Sequence, residues 1–172
     1  LLLMGCGQVQ RDSLPGGVQP FGGVSVRTLE TGSAPLFVAA ADLDGLGRTL
    51  LIASDRTNNR LQIVDGTAVL REIPLGNSPG ECAVADFVGD SRLDLAVALR
   101  DGTSVTIFEG GDSSLATSLS VGTSPQGLAA ADLDGDGRQD LVVSNVGSHD
   151  LTVLWGQAGG GLGSPLTLSC GL

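Results

Sequence analysis

Lysine and tyrosine are absent from this sequence, and tryptophan, methionine and histidine occur once each. No apolar run approaches the roughly 18 residues a membrane-crossing helix needs. With no lysine and nine arginines placed singly, the chain carries no basic patch of the kind that binds nucleic acid, which argues against a DNA or RNA partner. The lone histidine, His149, sits in a predicted turn with no paired nucleophile, which reads as solvated surface rather than catalysis. The lack of tyrosine leaves Trp155 as the one large platform for stacking on a sugar.

Glycine, in contrast, is plentiful: 27 of 172 residues, about twice the usual share. Such a chain is built from many short strands and tight turns. The formal charge is −10, yet nine of the 19 carboxylates fall inside three short loops, and without those nine the balance is −1. The acidity is therefore local chemistry and not a generally repelling surface.

Self-similarity sets the organisation. Asp42, Asp86 and Asp132 open three matching loops, 44 and 46 residues apart. Seven residues before each stands a proline (Pro35, Pro79, Pro125), and three before each proline a glycine (Gly32, Gly76, Gly122). Each unit then runs through four apolar stretches bounded by turn signals, which are strands. In the third unit these are Gly127 to Leu133, Leu141 to Val146, Leu151 to Trp155 and Leu166 to Cys170. Nothing reads as a helix. The fold class is all-β, and four-stranded units of about 45 residues in series match β-propeller blades, whose strands pack blade on blade and look apolar on both faces.

The repeats run about 32–75, 76–121 and 122–172, within an array 21–172. Val24 to Thr31 matches the fourth strand of a further unit. Three blades fall short of the 4 to 8 of a propeller, so the expectation is a fragment of a larger one, its ring closed by missing blades or a partner chain.

The chemistry lies in the loops. From Asp132 the third reads DLDGDGRQD, placing carboxylates Asp132, Asp134, Asp136 and Asp140 at positions 1, 3, 5 and 9, with the Arg138 carbonyl at position 7. Hard oxygen donors around a tight turn, with Gly137 letting the backbone double back, suit calcium better than magnesium. Position 12 is Val143 where an EF-hand needs Glu, so Asp140 is expected to close the site. The second loop keeps Asp86, Asp90 and Asp94, with the Arg92 carbonyl, but has Val88 at position 3, which predicts a weaker site. The first keeps Asp42 and Asp44 but has Leu46 and Leu50 at positions 5 and 9, which predicts poor binding or none. Arg48, Arg92 and Arg138 occupy position 7 throughout, where only the carbonyl is expected to matter.

These loops, with Phe21-Gly22 ahead of Gly32-Ser33-Ala34-Pro35, resemble the FG-GAP or VCBS-type repeats of bacterial envelope proteins and of integrin alpha chains. The resemblance implies loops that bind calcium and brace adjacent strands, in domains that commonly serve adhesion or ligand binding. Residues 1–6, Leu-Leu-Leu-Met-Gly-Cys, resemble the end of a bacterial lipoprotein signal peptide, in which Cys6 takes the lipid; the alternative is an ordinary signal sequence. Residues 7–20 then form a flexible tether, and either reading places the protein at the cell envelope or outside the cell.

In an antiparallel meander the calcium loops lie at the opposite end from the second-to-third turns. That end collects Arg56, Asn58, Asn59, Arg60, Arg100, Asp101, His149 and Asp150, a mixed polar surface for a protein or glycan. The leading expectation is a calcium-stabilised, non-enzymatic binding or adhesion module; the rival is part of a polysaccharide-active enzyme whose active site lies elsewhere. Cys82 and Cys170 fall at apolar strand positions, read as buried free thiols or as a disulfide.

Overall fold

The computed structural model describes residues 34–66 and 68–170. Cys6, the tether and the strand expected at Val24 to Thr31 lie outside the described residues. Within them are three four-stranded antiparallel meanders, one per repeat. The first holds β1 (Val38–Ala41), β2 (Leu50–Asp55), β3 (Arg60–Asp65) and β4 (Ala68–Pro74). The second holds β5 (Pro79–Ala85), β6 (Asp94–Leu99), β7 (Ser104–Phe108) and β8 (Ala116–Ser120). The third holds β9 (Pro125–Ala131), β10 (Asp140–Asn145), β11 (Asp150–Leu154) and β12 (Leu166–Ser169). Among these residues the only helical element is the 3-10 turn Glu109–Gly111.

The repeated proline begins β5 and β9, the place in a strand where a missing N–H is tolerated. The sequence expectation for the third unit holds within two residues at every strand boundary.

Strand β6 shows why the sheets stack. All six of its residues are buried. Side chains of a strand alternate between faces. Leu95, Val97 and Leu99 therefore pack on one side with Leu50, Ile52, Leu61, Ile63 and Ile73 of the first sheet. Ala96, with Ala85, Phe87, Val105 and Ile107, packs on the other against Leu141, Val143 and Leu154 of the third. The middle blade has both faces covered. Its outer strand β8 is mostly exposed, as is β12 in the third blade.

Loop position 2 differs in burial between the blades. Leu43 is 1% exposed and Phe87 3%, whereas Leu133 is 50% exposed. Leu43 lies under Gly111 of the second blade, and the Phe87 carbonyl accepts a hydrogen bond from the Gly161 N–H of the third at 3.0 Å. No described residue follows the third blade to cover Leu133, and Leu166 and Leu168 of β12 are half-exposed as well.

Both cysteines expected in apolar positions are free thiols, but only Cys82 is buried. Burial pushes its thiol well above the ordinary range. Cys170 is exposed, a correction to the buried reading: it stands just after β12, beside Val146 and Leu151.

Phe87→Ala should cost about 3–5 kcal/mol of unfolding free energy, the range for emptying a packed core site. Leu133→Ala at the equivalent position should stay within about 0.5 kcal/mol, as for a surface change. Denaturant unfolding of the two variants checks the contrast, and equal costs would mean that Leu133 is covered in solution.

Candidate metal centre

All three loops are shaped by their first aspartate. Asp132 Oδ1 accepts the N–H groups of Gly135 (2.8 Å) and Asp136 (3.1 Å), while Oδ2 accepts that of Gly137 (2.9 Å). Asp86 does the same with Gly89, Asp90 and Ser91, and Asp42 with Leu46 and Gly47. Positions 4 and 6 have positive φ in every loop, which is why they are glycine except at Ser91 (φ 68°). The loop backbone is therefore organised by hydrogen bonds of its own.

In the third loop this turn brings Asp132, Asp134 and Asp136 together, with a ligand oxygen of each within 4.8 Å of the others. It is the one cluster of three or more metal-ligating side chains among the described residues. Three exposed carboxylates so close repel one another, and an all-oxygen set of this kind is one that a hard cation such as calcium takes.

The position-9 aspartates depart from the expected ligand set. Asp140 is 1% exposed; its Oδ2 accepts the Leu133 N–H and its Oδ1 the Gly156 N–H, both at 2.8 Å. Asp94 accepts from Phe87, Val88 and Gly110 at 2.8, 3.0 and 3.0 Å. The physical reason is position: each is the buried first residue of a strand, where its oxygens satisfy the amides packed around it. Asp140 thus ties the loop to the chain after β11, outside the carboxylate cluster. Asp94 is held by the same kind of bonds in the second loop.

The position-7 arginines also differ from expectation, because their side chains matter. Arg48 in the first loop reaches Asp44 and Asp65, each at 2.6 Å. The guanidinium beside Asp44 holds its carboxyl below the usual carboxylate range. Arg138 pairs with Asp136 and donates from Nε to the Gly156 carbonyl at 2.9 Å. The recurrence of arginine at position 7 was the sequence signal for this role. Arg92 instead lies against Gly110.

The polar surface expected at the other end is partly structural. The turns after β2, β6 and β10 do adjoin the Gly-x-Ser-Pro connections: Arg100 N–H donates to Ser78 O, Ser124 N–H to Gly102 O and Val146 N–H to Ser124 O. Arg60 is held by buried Asp55 (3.1 Å) and by Glu72 (2.8 Å), Asn58 bonds Asp55, and Arg56 reaches Ser78. Burial would raise the Asp55 carboxyl, but its bonds from Asn58 and Arg60 outweigh this and hold it low. Asp150 accepts from buried Asn145 at 2.7 Å. Asn59 and His149 occupy left-handed turn positions, and Arg100 and Asp101 stand in the middle turn. His149 and Asp150 alone of the eight line a hollow there, about 350 Å³, together with Val146, Leu151 and Cys170. Trp155 is half-buried, its carbonyl accepting from Gly163 of its own loop.

Asp140→Asn should destabilise the chain by about 1–3 kcal/mol even in chelator, because it disturbs buried hydrogen bonds. Asp134→Asn should be within about 0.5 kcal/mol under the same conditions. Thermal unfolding in chelator separates the two roles.

Residues 86–143, about a third of the chain, match the family model described as an FG-GAP-like repeat. No curated protein matches the sequence. Two crystal structures of BBS1N in complex with ARL6DN, soaked with mercury and with lead, are similar in fold. Their TM-scores are 0.55 and 0.59, at 20% and 21% identity, over 75% and 78% of this chain. This chain spans 43% and 44% of theirs, less than half their length. The biofilm matrix protein Bap1 of V. cholerae aligns at 22% identity over 75% of this chain and 28% of its own, with a TM-score of 0.39.

Proposed function

We propose that this chain, which carries FG-GAP-like repeats in a β-propeller-type array, is the calcium-stabilised part of a binding module in a bacterial envelope protein. The observation that carries the proposal is the cluster Asp132, Asp134 and Asp136, with a ligand oxygen of each within 4.8 Å of the others, on a turn that hydrogen-bonds its own amides. In this reading these three carboxylates and the Arg138 carbonyl hold the ion, and water completes the 6 to 8 oxygens calcium takes. The ion is structural. It neutralises the loop and stiffens the link between β9 and β10, at the opposite end from the turns that would meet a protein or glycan.

Two further parts of the reading rest on other residues. The uncovered apolar face of the third blade, with Leu133, Leu166 and Leu168, takes a further blade that continues the stack. One protein of similar fold, BBS1N, is crystallised with a protein partner, which is compatible with a protein ligand on this fold. Anchoring at the envelope rests on Cys6 alone, through the Leu3 to Cys6 signal box.

Calcium at about 100 times its Kd should raise the unfolding free energy by roughly 2.7 kcal/mol for one site. Asp132→Ala should abolish most of that gain, and Asp42→Ala should preserve it, because its loop has leucine at positions 5 and 9. Thermal unfolding with calcium and with chelator decides it. An unchanged parent chain would remove the metal site.

A further inference from the structure

The three loops share an arginine at position 7, and the structure gives it a different set of partners in each. In the first loop Arg48 is clamped between two carboxylates, Asp44 and Asp65, both at 2.6 Å. Its Nε also donates to Asp44 at 2.8 Å. That loop already contains its counter-cation. The second clamp residue, Asp65, is the last residue of β3. At the equivalent place the third blade has Trp155, which carries no charge. Arg138 consequently has one carboxylate partner, Asp136, and its other contact is the neutral Gly156 carbonyl. Asp136 is also one of the three clustered metal-ligating carboxylates. One carboxylate is thus shared between a guanidinium and any ion the loop would hold.

We infer that Arg138 is a built-in competitor for the third-loop cation, a guanidinium that occupies Asp136 until a divalent ion displaces it. The inference rests on the metal reading of that loop. Displacement has a simple path, because the Gly156 carbonyl can retain Nε while the terminal nitrogen leaves Asp136. Arg138 and Asp136 side chains are 41% and 24% exposed, so the released nitrogen can be solvated. The same comparison bears on the poor binding expected of the first loop: its arginine has two carboxylates to leave, and Leu46 replaces the aspartate at position 5. Arg138 acts as a tuning residue, raising the calcium concentration at which the loop fills and favouring a doubly charged ion over a monovalent one.

The test is calorimetric titration of calcium chloride into the whole chain and its Arg138→Gln and Arg138→Lys variants at one ionic strength. Removing an exposed ion pair predicts a Kd about two- to fivefold tighter for Arg138→Gln. Arg138→Lys, which keeps the charge but not the planar fork, should lie between the two. An equal or weaker Kd for Arg138→Gln overturns the competition while leaving the metal site in place. No calcium binding by the parent or by either variant overturns the metal reading and the competition with it. Unfolding in chelator shows whether each variant is folded. Should Arg138→Gln fail to fold, the Arg138 Nε–H resonance of the unaltered chain serves instead: retention near its starting shift with broadening of the terminal N–H groups supports release from Asp136, and an unmoved spectrum at calcium saturation overturns it.

Discussion

Charge in a tight turn is the constraint on which the rest of this structure depends. The repeat brings carboxylates within a few ångströms of one another, and each must be stabilised by something positive or by donated hydrogen bonds. The chain uses three devices. Position-1 aspartates accept the loop's own amides, as Asp132 does from Gly135, Asp136 and Gly137. Position-9 aspartates are buried and accept amides from both ends of a strand hairpin, as Asp140 does from Leu133 and Gly156. Positions 3 and 5 accept one loop amide each, as Asp134 does from Asp136 and Asp136 from Arg138, and the rest of their charge remains to be answered. Arg48 answers Asp44 in the first loop, while in the third Asp134 and Asp136 exceed what one arginine can neutralise, and that excess is the argument for an ion.

The loops are joined to the stacking of the blades through the residue beside the first aspartate. Leu43 and Phe87 follow Asp42 and Asp86 directly, and each is roofed by the next blade's glycine-rich connection. The roof has to be glycine where contact is closest: a Cβ at Gly160 would overlap the Val88 carbonyl, and φ there is 84°. Each of these two loops is therefore in direct contact with the following blade. The third loop, with the fullest ligand set, is also the one whose Leu133 is open.

Much of this was legible in the sequence. The 44- and 46-residue spacing of the aspartates and the fixed proline register gave four strands per unit because turn residues and apolar runs alternate without ambiguity. The third loop was legible because its carboxylates lie within nine residues, so no distant contact decides the cluster. The hydrogen bonds of Asp140 were not legible for the opposite reason: they include one from the amide of Gly156, 16 residues away across a hairpin. Arg48 was missed likewise, since Asp65 comes beside it only when β2 and β3 have paired. Cys170 looked like a core residue because the pattern assigns a strand face without showing whether another blade lies upon it.

The claim that loops of one repeat family satisfy their charge differently is tested most directly by hydrogen exchange at single-amide resolution, with and without calcium. The account predicts slower exchange on adding calcium for the amides of residues 132–140, centred on Asp136 and Gly137, and no change for residues 42–50, where Arg48 already supplies the charge. Equal protection of both loops, or protection confined to the first, would contradict it.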